Sequence, residues 1–391
     1  MTVTFITNYM THHQKPFCGE LYALLGEDFH FIATNVMDEE RVKMGWELSL
    51  SDIPYASFYD DDYDKSHKLV KESDVVICGG THYSYIEERL VLHKLTFMYS
   101  ERLYKKGRIY GLNPKSLMNK RKEHAAYKND PVYLLCAGAY VAADFSLSGS
   151  YPGKKLCFGY FPETYIYDEK ELMKKKTSQI PEILWTGRLI DWKHAELAVF
   201  MAERLKKEHT VFHLTMVGEG PEEEKIKALI DEKKLNECIS LEPFMSPAEI
   251  RSLMERSDIY LMTSDNEEGW GAVVNEAMNA GCAVAASHAA GAVPYLIRHK
   301  ENGLVFKSGD VRELTFFVKK LCTDRAYAAK LGRNAYRTIN NTWNAKEAAD
   351  RFLKTAEALS KGGSFLYEDG PLSPAPELTV AKTYKKLRET T

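Results

Sequence analysis

Two carboxylates, Glu268 and Glu276, bracket Gly269-Trp270-Gly271-Ala272 and the start of a helical stretch. Glycines at such a place let a ligand touch the backbone. The free N–H groups of a helix's first turn favour an anion such as phosphate, while carboxylates accept hydrogen bonds from hydroxyls. Phosphate plus sugar hydroxyls is the chemistry of a nucleotide sugar. An ordinary buried helix with solvated glutamates fits the same pattern, and residue types alone leave both readings open.

The elements that must position these residues are legible nearby. The apolar runs Ile259 to Thr263 and Ala283 to Ser287 flank the stretch, giving strand, loop, helix, strand. The helix is expected from near Gly271 to Gly281, which suits the left-handed position after a helix end. Val273, Val274, Ala277 and Met278 supply one buried stripe.

Glu, seven residues, Glu, with Gly-aromatic-Gly directly after the first Glu, resembles the signature of the retaining glycosyltransferases of family 4, which have the two-domain GT-B fold. Trp185-Thr186-Gly187-Arg188-Leu189 followed by Lys193 resembles that family's donor-phosphate motif. Leu214-Thr215-Met216-Val217-Gly218-Glu219-Gly220-Pro221 resembles its apolar strand ending in Gly-x-Gly-Pro. The resemblance implies that Glu268 holds donor-sugar hydroxyls and that Gly269, Trp270, Gly271 and Ala272 contact the donor. It implies further that Glu276 holds the ribose hydroxyls, and that Gly187, Arg188 and Lys193 hold the diphosphate. Arg can bind phosphate oxygens with two parallel N–H bonds, and Lys acts as a point charge on a flexible stem. Arg188, Lys193, Glu268 and Glu101 are the catalytic candidates.

The chain has 391 residues, 45% of them hydrophobic, enough for two or three domains with cores. Apolar runs from Val3, Phe29, Asp74, Leu95 and Val132 alternate with helical stretches, and so do those from Ile183, Phe212, Ile239, Ile259, Ala283 and Leu304. Such alternation implies α/β architecture with mostly parallel sheets. With the resemblance, the expectation is GT-B: two Rossmann-like domains facing a central crevice. The first, acceptor-binding, covers 1–160. The second, donor-binding, covers 161–363 and ends in a helix from Ala345 to Ser360. Phe158 to Pro162 and the charged run Asp168 to Lys176 serve as linker. A tail, 364–391, crosses back to the first domain.

The turn after the first strand, Thr7 to Pro16, lacks the G-x-G-x-x-G of dinucleotide oxidoreductases. It carries His12 and His13, which would face the crevice at the strand's carboxyl end. His82 follows Gly79-Gly80-Thr81, and Glu101 follows Tyr99-Ser100, where many family members place a histidine beside the reacting sugar. These four are the acceptor-side candidates. Each has a structural alternative: a surface pair, a loop imidazole bonded to backbone, or a carboxylate paired with Arg102.

Seven scattered cysteines read as reduced thiols of a cytoplasmic protein. No stretch reaches the ~18 apolar residues of a membrane span, and a net charge of −3 argues against nucleic acid as a partner. Asp60-Asp61-Asp62-Tyr63-Asp64 could suit a divalent ion, but it precedes a helical run, where acidic residues belong without metal. From 105 to 128, eight Lys or Arg face the single acid Glu123, which suits an anionic membrane surface on the cytoplasmic side, a lipid-diphosphate acceptor or a solvated helix face. The expected function is transfer of a hexose-type sugar from a UDP- or GDP-linked donor to a glycan or lipid-linked acceptor, without metal or other cofactor. The alternatives are a sugar-nucleotide epimerase of the same fold and a non-catalytic sugar-nucleotide-binding protein.

Overall fold

The computed structural model describes residues 1–38, 48–176, 178–364 and 367–389. The chain divides into one unit of Met1–Glu163 with Trp343–Leu378 and another of Thr164–Thr342 with Thr379–Thr391.

Among the described residues the first unit has seven strands: β1 (Val3–Thr7), β2 (Phe29–Ala33), β3 (Ala56–Phe58), β4 (Val75–Gly79), β5 (Thr96–Ser100), β6 (Val132–Ala137) and β7 (Lys155–Phe158). Their order is β3-β2-β1-β4-β5-β6-β7, with parallel pairing throughout. The second unit has β8 (Glu182–Thr186), β9 (His213–Val217), β10 (Ile239–Glu242), β11 (Ile259–Met262), β12 (Ala283–Ser287) and β13 (Leu304–Phe306), in the order β10-β9-β8-β11-β12-β13, again parallel. Helices covering both faces of a parallel sheet leave its strands no wet side. That is why β1, β4 and β12 are buried at every residue. The expected fold class, two Rossmann-like α/β domains, is what the chain adopts.

Short strands escaped the sequence reading. Ala56–Phe58 is three residues of partly buried edge, too short for a period to register. Phe158, expected in the linker, is the last residue of β7, and Glu169–Lys174, in the same expected linker, is a helix capped by Asp168. The first helix begins at Lys15, where Pro16 fits a helix's first turn.

The largest difference concerns the helix Ala345–Ser360, expected to close the donor-binding domain. It belongs to the first unit, where its apolar face, including Ala348, Ala349, Phe352 and Ala356, is buried. Phe352 packs 5.0 Å from the ring of Phe97 and 6.0 Å from that of Phe17. The following segment stays with that unit through Lys155, whose ammonium donates to Glu377 at 2.9 Å. Residues from Thr379 onward return to the second unit, where the Tyr384 hydroxyl donates to Glu313 at 2.5 Å.

Candidate functional site

In the second unit the strand order reverses between β8 and β11, and open parallel sheets hold ligands beyond the carboxyl ends of the strands at such a reversal. β11 pairs directly with β8, Ile259 against Ile183 and Tyr260 against Leu184. The loops that follow them, from Gly187 and from Thr263, therefore emerge side by side.

Hydrogen bonds lock these two loops together. The Trp185 indole donates to Thr263 Oγ1 at 2.8 Å, and the Thr263 hydroxyl donates to the Lys193 carbonyl at 2.6 Å. The Asp265 N–H donates to the Trp192 carbonyl at 3.0 Å. The Arg188 guanidinium lies over the Trp192 ring, 5.8 Å from its centroid. Lys193 donates to Glu268 Oε2, which also accepts from Ser264 Oγ at 3.1 Å. The structure thus brings together Arg188, Lys193 and the Glu268 loop from positions about eighty residues apart in sequence.

Two glycines are required by close approach. A Cβ on Gly218 would lie 1.9 Å from the Gly187 carbonyl oxygen, so the Gly-x-Gly turn after β9 packs on the backbone of the loop carrying Arg188. A Cβ on Gly291 would lie 1.8 Å from the Gly269 carbonyl oxygen. The Gly291 N–H meanwhile donates to the Glu268 carbonyl at 3.2 Å, and the Ala292 N–H to the Trp270 carbonyl at 2.9 Å.

The helix begins at Val273, with Ala272 as its N-cap, and Gly281 beyond its end takes the left-handed conformation expected of it. Val274, Ala277 and Met278 are fully buried, whereas Val273 is only partly so. Trp270 is buried with its indole N–H donating to Asn275 Oδ1 at 2.9 Å. Glu276 differs from Glu268. Its carboxyl makes no hydrogen bond or ion pair among the described residues, and burial pushes its pKa up to about 7, with the positive charge of Arg251 opposing.

Sequence reasoning missed His194. It sits at φ +50, ψ +48, with Nδ1 2.9 Å from Glu196 Oε1 and Nε2 3.1 Å from Asp265 Oδ2. Its hydrogen bonds to Asp265 and then Glu196 raise the imidazole to about 10, so it is a cation at neutral pH. The signal was its place directly after Lys193. Its partner Asp265, however, is 71 residues away and announced by no motif.

In the first unit, His12 and His13 follow β1, and their ring centroids are 3.8 Å apart. Burial lowers both imidazoles, His13 to about 3 with His12 adding to the shift, so that pair is neutral at pH 7. His13 stacks on Tyr160, 5.7 Å between centroids. The Tyr160 hydroxyl donates to Glu101 Oε1 at 2.6 Å, and Lys105 donates to Oε2 at 2.5 Å. The carboxyl ends of β1, β5 and β7 thereby assemble one cluster, of which Tyr160 and Lys105 were not anticipated. His82 stands apart from it: exposed, it caps a short 3-10 turn, with Nδ1 accepting from the Ser84 N–H at 3.3 Å.

The acidic run serves helix entry. Asp61 accepts from the Phe58 N–H at 2.9 Å, and Asp62 from the Lys65 N–H at 3.1 Å. None of the seven cysteines forms a disulfide. Among the described residues no helix is long and apolar enough to cross a membrane.

Comparison with solved structures supports the fold. HepE of Anabaena in complex with UDP superposes with a TM-score of 0.68 at 15% identity, covering 91% of this chain and all of that one. Sucrose-phosphate synthase of Thermosynechococcus elongatus gives 0.62 at 16% identity over 93% of this chain and all of that one. At such identities the likeness is one of fold. Among curated proteins, the amylovoran biosynthesis glycosyltransferase AmsK of Erwinia amylovora is 27% identical over 183 residues, 46% of this chain and 45% of that protein. The 2-deoxystreptamine glucosyltransferase of Streptomyces kanamyceticus is 32% identical over 149 residues, 37% of each chain. The matches thus span less than half the length of these curated relatives. Residues 168–338, the stretch that holds Arg188, Lys193, Glu268 and Glu276, match the family described as glycosyl transferases group 1.

Proposed function

We propose that the chain is a retaining glycosyltransferase that moves a hexose-type sugar from a UDP- or GDP-linked donor to a hydroxyl of a glycan or lipid-linked saccharide in polysaccharide biosynthesis. The observation that carries this reading is the contrast between the two carboxylates beside one pair of loops. Glu268 is held by Lys193 and Ser264, whereas Glu276 is half-buried, its carboxyl makes no hydrogen bond or ion pair among the described residues, and its pKa is raised to about 7. Burying such a group is unfavourable unless a ligand supplies donors, and two ribose hydroxyls are donors of the right kind.

In this proposal the acceptor oxygen bonds to the anomeric carbon on the face from which the leaving group departs. The bond from that carbon to the diphosphate oxygen breaks, and the acceptor's proton passes to the β-phosphate. The leaving diphosphate gains negative charge, which Arg188 and Lys193 offset, so no divalent ion is called on. Lys193 would exchange part of its pairing with Glu268 for phosphate, freeing Glu268 Oε2 for a sugar hydroxyl. The Glu101–Tyr160–His13 cluster of the first unit would receive the acceptor. Reduced thiols and biosynthetic relatives favour a cytoplasmic location.

The test is calorimetric titration with UDP-, GDP-, ADP- and dTDP-sugars, then turnover with and without lipid-linked acceptors. Binding of one donor class and acceptor-dependent release of its diphosphate are expected. Epimerisation of the donor without acceptor, or binding without turnover for any acceptor, would overturn the reading.

A further inference from the structure

We infer that the segment from Lys106 to Lys122 is a docking face that seats the first unit on an anionic lipid surface by inserting apolar side chains between basic ones. Ile109 is 75% exposed, Tyr110 63%, Leu112 61% and Met118 52%. Four large apolar groups within ten residues oppose the hydrophobic effect unless something covers them. Lys106, Lys115, Arg121 and Lys122 are exposed among them, and none has a carboxylate partner among the described residues. Lys120, in contrast, is paired with Glu123 at 2.7 Å.

The base of this segment is built firmly while its outer side is left uncovered. Arg102 Nε donates to Asp144 Oδ2 at 3.2 Å, both side chains nearly inaccessible. The Tyr104 N–H donates to the same oxygen at 3.3 Å, and Arg108 donates to the Ala143 carbonyl at 2.9 Å. Gly111 backs onto Tyr104, where a Cβ would come within 2.6 Å of the ring. At the far end the buried His124 imidazole meets the Tyr151 hydroxyl at 2.9 Å. Between them, Pro114–Lys120 forms a helix capped by the Asn113 side chain. A segment pinned so thoroughly from below presents Ile109, Tyr110 and Leu112 outward by construction.

Charge and apolarity together select the occupant. A soluble polyanion would be served by the cations alone and has no use for the apolar groups. An anionic phospholipid leaflet uses both, headgroups meeting Lys and Arg while the apolar side chains enter the acyl boundary. Each basic residue near such a leaflet contributes about fivefold in affinity. The inference rests on the proposed function in one respect only, that the lipid would present the acceptor. Glu101 lies just before this segment and is bonded to Lys105 at its entrance.

The full chain is tested for flotation with phosphatidylcholine vesicles, with vesicles containing phosphatidylglycerol, and for binding to soluble heparin. Flotation with the anionic vesicles alone is expected. Replacing Lys115, Arg121 and Lys122 by Gln should lower partitioning roughly 100-fold. Ile109→Ser with Leu112→Ser should lower it about tenfold or more, since apolar burial is lost. Leu112→Trp should shift its emission to the blue on anionic vesicles and not on heparin, reporting insertion. Heparin binding equal to vesicle binding with no blue shift, or vesicle binding indifferent to the Ser pair, would overturn the inference. Nucleotide calorimetry on the same variants shows that they are folded. If the wild-type chain floats yet binds no nucleotide, the proposed function fails while the docking face stands.

Discussion

His194 Nε2 lies 3.1 Å from Asp265 Oδ2, joining the loop after β8 to the loop after β11. A histidine at positive φ costs roughly 1 kcal/mol or more unless its surroundings hold it there. Two carboxylates do so, and the bond fixes Lys193, one residue before it, relative to Glu268, three residues beyond Asp265.

The first prediction follows from that clasp. A histidine pKa raised to about 10 contributes stability that is fully present below the unfolded value near 6.5 and is lost as pH rises through about 10. Asp265, Glu196 and, behind Glu196, Lys225 are the charged groups facing it. His194→Ala should cost about 1 kcal/mol at pH 7, well under the full linkage value because the ring is partly solvated. Denaturation profiles of variant and wild type should converge above pH 10. His194→Asn, which tolerates left-handed backbone, should regain the geometry but not the pH dependence.

Arg188→Ala should lower turnover by roughly 100-fold or more, the scale for losing one preorganised charge-stabilising donor. Steady-state kinetics checks it, and a near-normal rate would take Arg188 out of the site.

The two carboxylates should separate by ligand. Glu276→Gln should weaken binding of free nucleoside diphosphate, while Glu268→Gln should leave it nearly intact and damage turnover. Hydroxyl donors favour the ionised form of Glu276, so its pKa of about 7 should fall on binding and affinity should rise with pH from 6 to 8. Calorimetry in buffers of different ionisation enthalpy should detect proton release in wild type that Glu276→Gln reduces. Equal losses in both variants would mean the roles are misassigned.

Gly291→Ala should displace the Gly269 carbonyl, from which its Cβ would lie 1.8 Å. Roughly 1–3 kcal/mol of destabilisation is expected for such crowding. Donor binding should fall with it, because that carbonyl belongs to the loop carrying Glu268. Chemical denaturation and nucleotide titration on one sample measure both; an unchanged titration would separate this loop from the ligand.

Excess EDTA should leave initial rates unchanged, and Asp60→Ala with Asp62→Ala should affect turnover only slightly. Loss of activity on chelation with recovery on adding manganese would restore the metal reading of the acidic run.

What this sequence determined by itself is what contiguous residues encode. Strands such as Val75–Gly79 and Ala283–Ser287 are runs of apolar residues because each is buried on both faces. Gly281 marks a helix end because its left-handed conformation disfavours a side chain. Even the spacing of Glu268 and Glu276 is a local property, the distance from a loop to a point just inside its helix. The tertiary structure decided everything that depends on which loops the sheet places side by side. Lys193 meets Glu268 only because β8 and β11 are neighbours where the strand order reverses, and His194 finds Asp265 for the same reason. Tyr160 reaches Glu101 across 59 residues, joining a position expected in a linker to the acceptor-side cluster. The helix Ala345–Ser360 was legible in the sequence, but its buried stripe of Ala and Phe does not say which sheet it will cover. Contact with Phe17 and Phe97 settles it on the first unit, since a helix's pattern encodes that a face is buried and only the fold supplies the surface it is buried against.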